Sequence, residues 1–102
     1  MLLTTKTFEL GNTIYFECVY RNTMAILTDP DNPNWSISTA RGVVVASGTT
    51  DGGPFKRSDG LWYIFWTSED VGEYILEFTG SIGSHAVAIR RPFKVIKSTA
   101  TY

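Results

Sequence analysis

This chain of 102 residues predicts an all-β fold, a sandwich of about seven antiparallel strands forming a single domain over residues 1–102. Three observations carry that prediction. Apolar residues recur at every second position, and no window of helical period reaches two full turns. Turn-forming residues interrupt the alternating runs about every 8–12 residues, the spacing of a sandwich. The length is close to the commonest size for one domain, and 43% hydrophobic with 14% aromatic residues is enough apolar surface to fill one core.

The elements follow in order. "TKTFEL" reads as a first edge strand ending at Gly11-Asn12, and Thr13 to Tyr20 reads as the second strand. In that strand Ile14, Phe16, Cys18 and Tyr20 share a phase, which points them inward. "RNTMAILTDPDNPN", residues 21–34, reads as a loop, because Asp29-Pro30 and Asn32-Pro33 fix turns and exclude helix. "NWSISTARG" is then a strand with Trp35 and Ile37 on one face, turned at Arg41-Gly42 into a hairpin partner, "VVVASG". "TTDGGPFKRSDG" reads as the longest glycine-rich loop, before the most apolar strand, "LWYIFWTS". "EYILEFTG" and "HAVAIRRPFKVIK" complete the set. No linker, low-complexity tract or internal repeat interrupts it.

Composition excludes several functions. Nine basic against ten acidic residues give a net charge of −1, so nothing in the electrostatics favours nucleic acid or an anionic membrane. "MLLTTKTFELG" offers two leucines where a secretory signal needs an apolar core of roughly 7–15 residues, and no segment approaches the roughly 20 apolar residues of a spanning helix. Neither a signal peptide nor a transmembrane segment is expected. One cysteine, Cys18, allows no intrachain disulfide, and its phase marks it as a small buried hydrophobe rather than a reactive thiol.

Catalytic and cofactor chemistry finds little footing. His85 is the only histidine, which with one cysteine rules out a Cys/His zinc site. No Gly-x-Ser-x-Gly motif accompanies it, so a Ser-His-Asp arrangement has no nucleophile signature. The glycines of "DGGPF" and "TGSIGS" open no helix and so lack the amide cradle of a phosphate loop. Glu69 and Asp70, as neighbours on a turn, are expected to point in different directions. Asp29 and Asp31 in "TDPDN" are the one pair that calcium could use, but turn formation by the same side chains, which bond their own backbone, is the favoured account of them. "NWS" at Asn34 matches a glycosylation sequon, which without an export signal is an accidental match. No cofactor, metal or catalytic residue is therefore expected.

The stretch "SEDVGEYILEF" sets Asp70, Gly72 and Tyr74 at the spacing of the tyrosine corner of immunoglobulin-like sandwiches, where the tyrosine hydroxyl bonds back to nearby backbone. Cys18 on the second strand, Trp35 on the third and Leu76 two residues beyond Tyr74 fall where such domains carry their first cysteine, packing tryptophan and second cysteine, so these three are expected together in the core. Across residues 7 to 96, "FELGNTIYF", "LTDPDNPNWSIS", "GVVVASG", "DGLWYIFWTSEDVGEYILEFTGS" and "PFKV" resemble the small immunoglobulin-like proteins encoded among phage virion-assembly genes. The same pattern is similar to modules of bacterial surface proteins and to macroglobulin-like domains.

"LWYIFWT" is apolar on both faces: Trp62, Ile64 and Trp66 alternate with Leu61, Tyr63 and Phe65. A sandwich strand has one face on the core and one in water, so the second set needs a cover. Either the loop over residues 21–34 covers Leu61, Tyr63 and Phe65, or these residues meet another protein, as aromatic residues do at the energetic centres of interfaces.

The resemblance implies a non-enzymatic phage virion protein, a capsid decoration or head-tail subunit made in the host cytoplasm and acting through assembly. Its partners would be other virion proteins or further copies of the chain in a homo-oligomer, with no nucleic acid and no membrane. The alternative is an adhesion or ligand-binding module of a bacterial surface protein, carbohydrate- or protein-binding. A small hydrolase is the third reading, and it requires a pocket joining His85 to an acid and a nucleophile.

Overall fold

A computed structural model describes residues 6–97. Thr5, the expected head of the first strand, and the two ends of the expected 1–102 domain lie outside them. Among the described residues there are eight strands: β1 (Lys6–Glu9), β2 (Thr13–Val19), β3 (Asp31–Thr39), β4 (Val44–Ser47), β5 (Phe55–Ser58), β6 (Leu61–Thr67), β7 (Gly72–Ile82) and β8 (His85–Ile96). One helical turn, α1 (Gly48–Asp51), separates β4 from β5. The strands form two packed sheets, a five-stranded one in the order β1-β8-β7-β3-β4 and a three-stranded one in the order β2-β6-β5. The chain is thus an all-β sandwich. No helix among the described residues is long and apolar enough to cross a membrane.

The count of about seven antiparallel strands needs two corrections. The eighth strand is β5, "FKRS", inside what reads as a glycine-rich loop; all four of its residues are exposed, so no buried phase marks it. It forms because Phe55 and Lys56 pair with Tyr63 and Trp62 of β6. The second correction is the pairing of β1, which runs parallel to β8 with Lys6 opposite Phe93 and Glu9 opposite Ile96. Orientation depends on where the chain returns, which a strand's own residues do not encode.

The loop expected over residues 21–34 ends early, since β3 begins at Asp31. Asn32 adopts φ 51°, and the register against β7 shifts between Asp31 and Asn34. Asparagine tolerates that left-handed backbone, and the bulge lets Pro33 sit in a strand without a ladder N–H. β4 reaches β3 only from Ser36 onward, so Pro33 lies on a locally unpaired edge.

Strand period decides the core. Ile14, Cys18 and Tyr20 of the second-strand run, Trp35 and Ile37 of β3, Ala46 of β4, Ile64 of β6, Tyr74, Leu76 and Phe78 of β7, and Phe93 and Val95 of β8 are buried. Aromatic rings fill the space between the sheets at one end: Phe93 stacks on Tyr74 at 5.5 Å and meets Phe16 at 4.9 Å and Trp66 at 5.7 Å. Toward the other end Tyr20, fully buried, ties the sheets together by donating from Oη to the Thr79 carbonyl at 2.9 Å. Gly60 must be glycine: its φ is +75°, and a Cβ there would lie 2.8 Å from both Thr28 N and the Tyr20 carbonyl.

Candidate interaction surface

β6 is the middle strand of the smaller sheet, and alternation sends its residues to opposite sides. Ile64 is buried at 1% exposure, and Trp62 and Trp66 pack against the core, so that set holds the strand to the sandwich. Leu61, Tyr63 and Phe65 take the outer face. Leu61 and Tyr63 are half-buried there, while Phe65 is 57% exposed.

The register explains the difference. Tyr15 lies opposite Phe65, Glu17 opposite Tyr63 and Val19 opposite Leu61, while Phe55 flanks Tyr63 from β5. The Tyr63 ring is 5.5 Å from Tyr15, 5.6 Å from Phe55 and 5.7 Å from Phe65. Tyr63 is therefore covered by its strand neighbours, and the outer surface of the cluster is left to Tyr15 at 42% exposure, Phe55 at 50% and Phe65. The 21–34 loop offered as a cover reaches the other side of the strand: Asp29 Oδ1 accepts from the indole N–H of inward-phase Trp62 at 3.3 Å and from Gly60 N–H at 2.8 Å.

The Tyr15 and Phe55 rings are inclined to Tyr63 by 33° and 38°. Both pairs are tilted contacts, neither stacked face to face nor edge-on.

A polar clasp spans the same face. Arg57 Nη1 donates to Glu17 Oε2 at 2.9 Å and to Tyr15 Oη at 3.2 Å, and Tyr15 Oη donates to Glu17 Oε2 at 2.7 Å. The Tyr15 hydroxyl, with Arg57, holds the Glu17 carboxyl below its ordinary value, and the carboxylate in turn raises the Tyr15 phenol. Arg57 thus bridges the two edge strands across β6.

Tyr15, Glu17, Phe55 and Arg57 were not singled out by sequence reasoning. For Tyr15 a signal existed: it occupies the outward phase of "TIYFECV", where alternation calls for a polar residue. Phe55 gave none, because its strand has no buried phase.

The remaining singled-out residues lie elsewhere. At the turn into β7, Tyr74 Oη donates to the Asp70 carbonyl at 2.8 Å, and Gly72 begins the strand at φ 152°. Cys18, Trp35 and Leu76 all belong to the core cluster, with Cys18 and Leu76 on one cavity wall, but Cys18 is paired across its own sheet with Trp62, and the Trp35 indole donates to the Gly52 carbonyl at 2.8 Å. Glu69 and Asp70 border a cavity of 440 Å³ that Asp51 also lines. His85, exposed at the β7–β8 turn opposite Ile82, borders none of the cavities formed by these residues. Asp29 is engaged by Lys56 Nζ at 2.5 Å as well as by Gly60 and Trp62, and no group of three His, Cys, Asp or Glu among the described residues could hold a metal ion.

No protein-family model matches this chain, and comparison with curated proteins and with solved structures gives no match either.

Proposed function

We propose that this chain is a non-enzymatic, immunoglobulin-like assembly module that docks on protein through the outer face of its three-stranded sheet. The aromatic cluster in which Tyr15, Phe55 and Phe65 lie exposed around a half-buried Tyr63 is the observation that carries the reading. Large aromatic side chains left in water on a sheet face cost free energy that a partner recovers, and such residues dominate interface energetics.

The immunoglobulin-like assignment is supported by strand order. With β2, β3, β6, β7 and β8 taken as B, C, E, F and G, the sheets β2-β6-β5 and β8-β7-β3-β4 follow the B-E-D and G-F-C arrangement of those domains, β4 adding the extra strand of the variable type. The Tyr74 to Asp70 bond supports it further, as does Cys18 on B with Leu76 on F. A place in a phage virion, as decoration or head-tail subunit, rests on the sequence resemblance alone.

The test is assembly in the native context. Phe65→Ser, introduced into the source gene, is expected to leave the purified protein folded and to abolish its incorporation into the native particle or complex. Normal incorporation of that variant would overturn the reading.

A further inference from the structure

We infer that the occupant of this face is a second copy of the same chain, with the two three-stranded sheets packed face to face about a twofold axis. The inference rests on the docking reading above and names its partner.

Area is the first argument. With aromatic residues presenting roughly 200 Å² each when free, the exposed parts of Tyr15, Phe55 and Phe65, together with Val19, Leu61, Tyr63 and the clasp, come to roughly 600–750 Å². A standard interface buries about 600–1,000 Å² per partner, so the face of one copy meets that of another in the size range of a stable pair. Its apolar part lies within the roughly 300–600 Å² of the largest patch on an ordinary monomer, a patch that is often functional.

Charge is the second. The charged side chains of the face are Glu17 and Arg57, which neutralise each other, and the whole chain carries only −1. A strongly acidic or basic partner would find no complement, whereas two copies meet without net repulsion. Both bonds that Arg57 makes come from Nη1, leaving guanidinium donors for the Glu17 carboxylate of the facing copy. A face with one acid and one base is self-complementary under a twofold axis, the commonest symmetry of soluble oligomers.

Sedimentation equilibrium of the purified chain through the micromolar to millimolar range tests this. The parent is expected to populate a dimer that grows with concentration. Phe65→Ser should weaken it by about tenfold or more, as loss of an interface anchor does. Arg57→Glu, which gives each face two acids, should dissociate it, and the swap Glu17→Arg with Arg57→Glu should restore it. Val44→Ser, at an equally exposed position on β4, should leave it unchanged. A parent that stays monomeric throughout, or a dimer indifferent to Phe65→Ser and Arg57→Glu, overturns the inference. If the parent is monomeric while Phe65→Ser still loses incorporation into the native assembly, the docking reading stands and only self-pairing falls; if incorporation is normal as well, both fall.

Discussion

The Tyr74 hydroxyl donates to the backbone carbonyl of Asp70, 2.8 Å away, across the turn that delivers β7 to the sandwich. The same carbonyl accepts from Ser68 Oγ at 2.5 Å, and Ser68 Oγ in turn accepts from Asp70 N–H at 3.2 Å. Ser68 is the one buried polar residue among those described, and it braces the corner from the other side.

Because the Asp70 carbonyl has two donors, Tyr74→Phe should cost about 1 kcal/mol, a single lost hydrogen bond. For a domain of this size that is a fall in Tm of roughly 5 °C. Ser68→Ala with Tyr74→Phe leaves the carbonyl with neither donor and should cost more than the two single changes added together. Additive losses in a double-mutant cycle would show that the two bonds act independently.

Cys18 is 4% exposed, and burial pushes its thiol up to about 11. Thiol reagents should therefore label it slowly in native protein and rapidly in denaturant; equal rates would contradict its burial. A thiol that binds its proton more tightly when folded contributes stability that is complete below its ordinary value of about 9 and is lost as pH rises toward about 11. Denaturant midpoints should fall across that range, and fall less in Cys18→Ala. Tyr20, also raised by burial, adds to the alkaline loss in both proteins.

Tyr63 and Phe65 should separate stability from association. Phe65, 57% exposed, should change Tm little when replaced by Ser. Tyr63 touches three aromatic neighbours, so Tyr63→Ser should cost roughly 1–3 kcal/mol, less than the 3–5 of a fully buried aromatic. Thermal melting alongside sedimentation of both variants checks the ordering, which an equal loss from Phe65→Ser would reverse.

Asp29 holds the turn before β6. Its carboxyl lies below its ordinary value of 3.8 because it accepts from Gly60 N–H and pairs with Lys56. A depressed carboxylate contributes stability that is present above that value and lost as pH falls through the lower, folded one. Asp29→Asn keeps an acceptor for Gly60 and should flatten the acid limb of the stability curve. Asp29→Ala leaves that N–H unpaired and should destabilise more at neutral pH. Identical acid limbs in parent and Asp29→Asn would count against this role.

Alternation alone marks the strands that carry the core. Ile14 and Cys18, Trp35 and Ile37, Tyr74 with Leu76 and Phe78 each repeat with period two, and their burial follows because that period fixes which side of a sheet a residue meets. The same rule exposes β6 as anomalous, since no phase of "LWYIFWT" is polar. It fails where a strand has no buried phase, as in β5, or where a left-handed Asn32 and a bulge admit a proline, as at the start of β3.

What the sequence by itself determined is the class of fold, the inward residues and the surplus apolar face of β6, all set by local period and turn chemistry. The tertiary structure alone decided that β1 runs parallel to β8, that β5 pairs with β6, and that Tyr15 and Phe55 join Tyr63 and Phe65 in one cluster. The physical reason is that pairing, not local pattern, brings these residues together. Tyr15 reaches Phe65 across strands separated by dozens of residues, Phe55 reaches Tyr63 across the short β5–β6 hairpin, and both depend on hydrogen-bonded register, a property of the pairing rather than of any strand alone.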